Sequence, residues 1–227
     1  MQETTFGDRV LAFYDALVAF EWASADIALL SPVSASARRE ALATFCRSFY
    51  NDNSRRVFWL GINPSRVRNT STGVPYTDGY ALENYCNIHN DFSKSRELTA
   101  DFFYRFVAAF GGPERFFSRH YAGAAFPLSV LRKDRYCNWY DSGLPETIAS
   151  SVPDLIEKQV EMGSNGVLVV IGSGHNAKHL IRINTETNLF RKVLVVEHPR
   201  YIAQYKSKEI MRYVDKYCNV AREAEAE

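Results

Sequence analysis

The sequence lacks an excess of either charge: 27 Lys and Arg stand against 26 Asp and Glu, for a formal net charge of +1. No global positive field exists to hold a polyanion, so a nucleic-acid partner would have to be gripped by a local surface. Cysteine is scarce and scattered. Cys46, Cys86, Cys137 and Cys218 form no CxxC pair, which speaks against a zinc ribbon or a compact disulfide framework and suits an iron–sulfur cluster poorly. No cysteine-held metal cofactor is therefore expected. The amino end, MQETTFGDRV, has no basic region, and the apolar stretch after it is broken by Asp15, Glu21 and Asp26. Neither a signal peptide nor a membrane span is expected, which places the protein inside the cell, in the cytoplasm. There is no repeat and no interdomain linker, and 227 residues suit one α/β domain over 1–227, expected to be monomeric.

What is present is a series of periodic segments. From Thr5 to Trp22, Val10, Phe13, Tyr14, Leu17 and Val18 recur at helical spacing behind a Thr5/Asp8 capping pattern, and a second helix is expected after Pro32, so the first 50 residues read as helical. RRVFWLG, 55–61, is a short apolar run ending in glycine and reads as a buried strand. Residues 95–110 are helical, HYAGAAFPL (120–128) reads as a weak strand, and a helix is expected from Glu146 to Met162. GVLVVIG (166–172) and KVLVVEH (192–198), separated by a helix starting near His175, have βαβ spacing and imply a parallel pair. Strands apolar along their whole length need cover on both faces. The expected fold is thus an α/β three-layer sandwich around a short, mostly parallel sheet, with the loops after Leu60, Phe126, Ile171 and Val196 converging at its carboxyl rim.

Two of these loops carry the chemistry. GINPSRVRNTSTGVPYTDG, 61–79, is too long and too particular in its Gly, Asn, Pro and aromatic placement to be only a connector, although Asn63 and Pro64 are also ordinary turn formers. His198-Pro199-Arg200 ends a strand against the same rim, where a proline-stiffened turn aims the histidine into the cleft or merely satisfies it in the core. The pairing of an Asn-Pro after one strand with a His-Pro after another favours a functional reading of both.

Gly61-Ile62-Asn63-Pro64 followed by Thr72-Gly73-Val74-Pro75-Tyr76 resembles the first motif of the single-strand-selective monofunctional uracil-DNA glycosylases, within the uracil-DNA glycosylase superfamily. Phe116-Phe117, His120 and Phe126-Pro127-Leu128 look like that family's central strand, and His198-Pro199-Arg200 like its second motif; the resemblance spans about 57–205. It implies a metal-free hydrolase that removes uracil and other deaminated or modified bases from single- or double-stranded DNA in base excision repair, associated with the nucleoid when acting. Asn63 would orient the attacking water, accepting its hydrogen bond rather than its proton. His198 would donate to the base carbonyl as negative charge develops. No lysine nucleophile, and hence no lyase step, is implied. Tyr76 would stack on the flipped base, with Ile62, Pro64, Ser65, Ala124 and Phe126 lining the pocket. Ser173, Gly174 and His175 would meet a DNA phosphate at a helix start. Gly73, Arg66 and Arg68 would contact DNA beside the catalytic loop and Pro199 beside the second motif, while Arg200, Tyr201 and Ile202 would form a wedge.

Two departures from the family stand out. Ala124 occupies the position of the asparagine that reads the uracil edge, which implies a broader range of bases, with xanthine, hypoxanthine and 5-hydroxymethyluracil as candidates. Asn138, in the aromatic-rich RYCNWYD turn, is a candidate replacement reader, and Ser65 stands where relatives keep glycine. Two other functions remain open. Gly172-Ser173-Gly174-His175-Asn176-Ala177 with Glu197 fits a dinucleotide- or S-adenosylmethionine-binding fingerprint, and Tyr76, Phe126 and Trp139 could serve a non-catalytic binder of single-stranded or damaged DNA.

Overall fold

The computed structural model describes residues 3–23, 25–65 and 71–227. The chain opens with α1 (Phe6–Val18), then forms β1 (Trp22–Ala23), β2 (Ile27–Leu30), α2 (Ser36–Phe49), β3 (Arg56–Gly61), α3 (Gly79–Asn84), α4 (Leu98–Ala109), α5 (Pro113–Phe117) and β4 (His120–Ala124). A hairpin of β5 (Ser129–Arg132) and β6 (Arg135–Cys137) follows, then α6 (Glu146–Ser150), α7 (Val152–Glu161), β7 (Ser164–Ile171), α8 (His175–Thr187), β8 (Lys192–Val196), α9 (Pro199–Tyr205) and α10 (Ile210–Ala226). Among the described residues no helix is long and apolar enough to cross a membrane.

The expected parallel sheet is present, in the order β4-β3-β7-β8. All six residues of β3 are buried, because helices cover both faces and neighbours pair on both edges. α1 begins at the foreseen capping box: Thr5 accepts from the Asp8 amide at 3.1 Å and the Asp8 carboxylate accepts from the Thr5 amide at 2.9 Å. Its Phe6, Val10, Phe13, Tyr14 and Leu17 face the core at helical spacing. The helix expected over 146–162 is two helices that meet at Ser151. Pro153 lacks the amide needed to continue the first of them, yet fits the first turn of the second.

Two buried polar assemblies fasten this sheet. Arg56, fully buried at the start of β3, lies 4.4 Å from the Phe6 ring centroid and donates to the Phe117, Ser54 and Phe49 carbonyls and to Asp52. A buried guanidinium is tolerable only when it is paired and hydrogen-bonded in this way. On β3 and β4, the Trp59 indole donates to His120 Nδ1 at 3.0 Å, so a neutral His120 keeps its proton on Nε2 and donates to Glu225 at 3.0 Å. Arg115 clasps the same carboxylate with both terminal nitrogens, at 2.6 and 2.5 Å. Burial pushes Glu225 up, but the bonds from His120 and Arg115 outweigh it and hold the carboxyl at about 2. His120 thus ties α10 to the sheet.

A second sheet was not foreseen. β1, β2, β5 and β6 form an antiparallel sheet in the order β1-β2-β5-β6. Its β5–β6 hairpin turns on Lys133 and Asp134, both at positive φ (48° and 58°), the geometry of a two-residue type I′ turn. The hairpin leads from the first sheet's rim and back to it, delivering residues 136–141 to the neighbourhood of Asn63.

Candidate active site

Strand register alone aligns four residues along the rim. Gly123, Leu60, Val170 and Val195 form one row across the sheet, and three positions beyond them lie Phe126, Asn63, Ser173 and His198. Asn63 and His198 follow β3 and β8, which are separated only by β7. With adjacent strands about 4.8 Å apart, β3 and β8 themselves run roughly 10 Å apart.

Asn63 is half-buried and its amide is fixed from both sides. Nδ2 donates to the Cys137 carbonyl at 3.0 Å, and Oδ1 accepts from the Trp139 amide at 3.2 Å. These backbone partners rule out the flipped amide, which would set acceptor against acceptor. They come from the end of β6 and the loop beyond it, 74 and 76 residues away in the chain.

His198 is set by its own turn. It is the N-cap of α9, and its Nδ1 accepts from the Arg200 amide at 3.1 Å, so the neutral ring carries its proton on Nε2. Burial, with a smaller contribution from the Arg200 charge, pushes the imidazole down to about 4. The group is therefore a neutral hydrogen-bond donor at physiological pH. An uncharged donor suits an oxygen that becomes anionic during a reaction, as no buried ion pair is needed before the charge develops.

Tyr76 adopts φ 58° and stacks on Phe103 of α4, with ring centroids 4.9 Å apart and planes 22° apart. Its hydroxyl lies over Gly61, where a Cβ would come within 1.9 Å of it, which explains the glycine at the end of β3. Ile62 and Pro64 are half-buried beside Asn63, and Ser65 is exposed. Phe126 and Ala124 are buried, and the Phe126 amide donates to the Ile62 carbonyl at 3.1 Å. Ser173, Gly174 and His175 are exposed at the start of α8, which has no side-chain cap; in its first turn the Ala177 amide donates to the Gly172 carbonyl at 3.2 Å. Tyr140 stacks on His179 at 4.8 Å and 16°, fastening the 136–141 loop to α8.

Several expected roles are corrected by burial. Ile202 is fully buried and cannot serve as a wedge without unfolding α9; Pro199 is buried as well, while Arg200 and Tyr201 are exposed. Gly73 does not face a ligand. At φ 83°, it packs so closely on α2 that a Cβ would lie 2.8 Å from the Arg38 carbonyl oxygen. Asn138 is present near Asn63, but its Nδ2 donates to Asp141 at 3.1 Å and its Oδ1 accepts from Tyr136 at 3.3 Å. Arg66 and Arg68 lie outside the described residues. A narrow apolar gap lined by Val10, Tyr14, Leu42, Phe45 and Pro75 lies between α1, α2 and the 72–76 turn; Asn63 and His198 are not part of it. Sequence reasoning missed Tyr136, whose hydroxyl is 3.4 Å from Asn63 Oδ1, and the Cys137 and Trp139 backbone. The only signal was the aromatic density of RYCNWYD.

No curated protein matches the sequence significantly. The crystal structure of wild-type Pedobacter heparinus SMUG2 is similar over 99% of this chain and 100% of that one, with a TM-score of 0.91 and 30% sequence identity. Residues 47–222 match the uracil DNA glycosylase superfamily, and on that match and the whole-chain likeness the chain belongs to that superfamily.

Proposed function

We propose that the protein is a monofunctional DNA glycosylase that hydrolyses the N-glycosidic bond of uracil in DNA, as a single-domain monomer acting in the cytoplasm on nucleoid DNA. The observation that carries this reading is the pairing of a fixed amide, Asn63, with a neutral imidazole donor, His198, three residues beyond one row of the same sheet. With a nucleotide flipped between them, Asn63 Oδ1 holds a water against the anomeric carbon and His198 Nε2 donates to the base oxygen that gains charge. The sugar gains a hydroxyl, and the base leaves as an anion that is then protonated, the water's second proton balancing the step.

Tyr76, already stacked on Phe103, supports the flipped base, and Ile62, Pro64, Ser65 and Phe126 line its pocket. Ser173, Gly174 and His175 receive a backbone phosphate, and Arg200 and Tyr201 meet the duplex where the nucleotide is displaced. Ala124 offers the base edge no side-chain hydrogen bond, and Asn138 is committed to Asp141 and Tyr136. With few polar groups left unpaired by a wrong base, discrimination is weak, and xanthine, hypoxanthine and 5-hydroxymethyluracil are expected substrates beside uracil.

The test is incubation with oligonucleotides, single- and double-stranded, each carrying one of these lesions, followed by alkaline cleavage of abasic sites. Strand breaks that disappear in Asn63→Ala and His198→Ala support the enzyme; tight binding without breaks would instead make the protein a DNA-binding module.

A further inference from the structure

The surroundings of Asn63 contain more acceptors than donors. The Tyr136 hydroxyl has one proton and lies 3.4 Å from the Asn63 carbonyl oxygen, 3.4 Å from Asn63 Oδ1 and 3.3 Å from Asn138 Oδ1. A phenol can donate to only one of these oxygens at a time. Its choice is biased: Asp141 accepts from the Asn138 amide nitrogen at 2.8 Å and from Nδ2 at 3.1 Å, turning Asn138 Oδ1 toward Tyr136. With the phenol proton directed to Asn138, the Tyr136 lone pairs face Asn63.

Asn63 Oδ1 has two acceptor positions. The Trp139 amide takes one, and the Tyr136 oxygen lies 3.4 Å from Oδ1. A water seated off the line joining these two oxygens, about 2.8 Å from each, would touch both. Two acceptor oxygens with no proton left between them suit a molecule that donates two hydrogen bonds, which water does. Tyr136 also opens to solvent, being 41% exposed.

We propose that Tyr136 is a catalytic residue of the hydrolysis, its phenol oxygen holding the attacking water jointly with Asn63 Oδ1. This rests on the glycosylase reading above. As the water oxygen bonds to the anomeric carbon, the electron pair of the glycosidic bond leaves with the base. One water hydrogen stays on the new hydroxyl, and the other is released past Tyr136 to solvent, from which the base anion is protonated. Tyr136 accepts a hydrogen bond throughout and is not itself ionised.

Single-turnover excision from a uracil-containing oligonucleotide by wild type, Tyr136→Phe, Asn63→Ala and the double variant tests the assignment. The phenylalanine variant should lose about tenfold in rate, the scale of one well-placed hydrogen bond, with an unchanged Kd for an oligonucleotide bearing an abasic-site analogue. The double variant should be no slower than Asn63→Ala, because both residues hold one water. A Tyr136→Phe rate within twofold of wild type, a loss found wholly in Kd, or additive effects in the double variant overturns the assignment while leaving the enzyme reading intact. A wild type inactive on every lesion sinks both.

Discussion

The two ends of the candidate site are held by different means. His198 takes its tautomer and direction from the amide of Arg200, two residues away, at the start of the helix that His198 itself caps. Asn63 depends on Cys137 and Trp139, brought to it by a separate antiparallel sheet. One group is thus set by local backbone geometry and the other by tertiary assembly. Damage to the second sheet should disable Asn63 and leave His198 unchanged.

The largest effect expected is on Asn63 itself. Asn63→Ala should lower single-turnover excision by about 10²–10³-fold, the range for removing one organised polar group from a reaction centre. His198→Ala should cost about 10²-fold on the same basis; if both variants were nearly as fast as wild type, the comparison would concern structure only. Asp134→Pro sharpens it. Proline cannot adopt the φ of 58° found there, so the β5–β6 turn should open, with a stability loss of about 2 kcal/mol and excision slowed in proportion to the loosening of Asn63. The His198 ring resonances should stay at their wild-type positions in NMR spectra, and a shift in them would show that the two ends are coupled.

A pH titration gives the smallest effect on rate. Because burial lowers His198 to about 4 in the folded protein, against about 6.5 in an unfolded chain, the imidazole should stay neutral, with Nε2 protonated, from pH 8 to pH 5, and contribute less than about a twofold change in rate over that interval. The sign for stability follows. The unfolded chain binds a proton near pH 6.5 and the folded chain only near pH 4, so the stability associated with His198 is complete above pH 6.5 and lost as pH falls toward 4. Glu225, lowered to about 2, extends the loss: its contribution is present above its ordinary value near 4.5 and disappears as pH falls toward 2. Thermal melts in Glu225→Gln should lose part of this acid dependence below pH 4.5. An unchanged acid limb would remove the Arg115–Glu225–His120 clasp from the account.

Much of the first sheet was legible because its strands are buried on both faces and appear as uninterrupted apolar runs, VFWL in β3 and VLVVI in β7. The second sheet was not. β1 has two residues and β6 three, too few for any periodicity, and the Lys133-Asp134 turn lacks the Asn-Gly or Asp-Gly signature of its type. Exposure was the other gap. Position beside motifs suggests ligand-facing roles for Ile202 and Gly73, whereas packing turns Ile202 into the core and Gly73 onto α2.

The sequence by itself determined the parallel strands, the glycine-, proline- and asparagine-bearing loops at their carboxyl ends, and the assignment of Asn63 and His198 to loops at one rim. These depend on hydrophobic burial and turn stereochemistry, which act over a few neighbouring residues. Only the tertiary structure decided which way the Asn63 amide points and that Tyr136 stands beside it. Those facts depend on hydrogen bonds between segments more than 70 residues apart, and no local pattern encodes such a meeting.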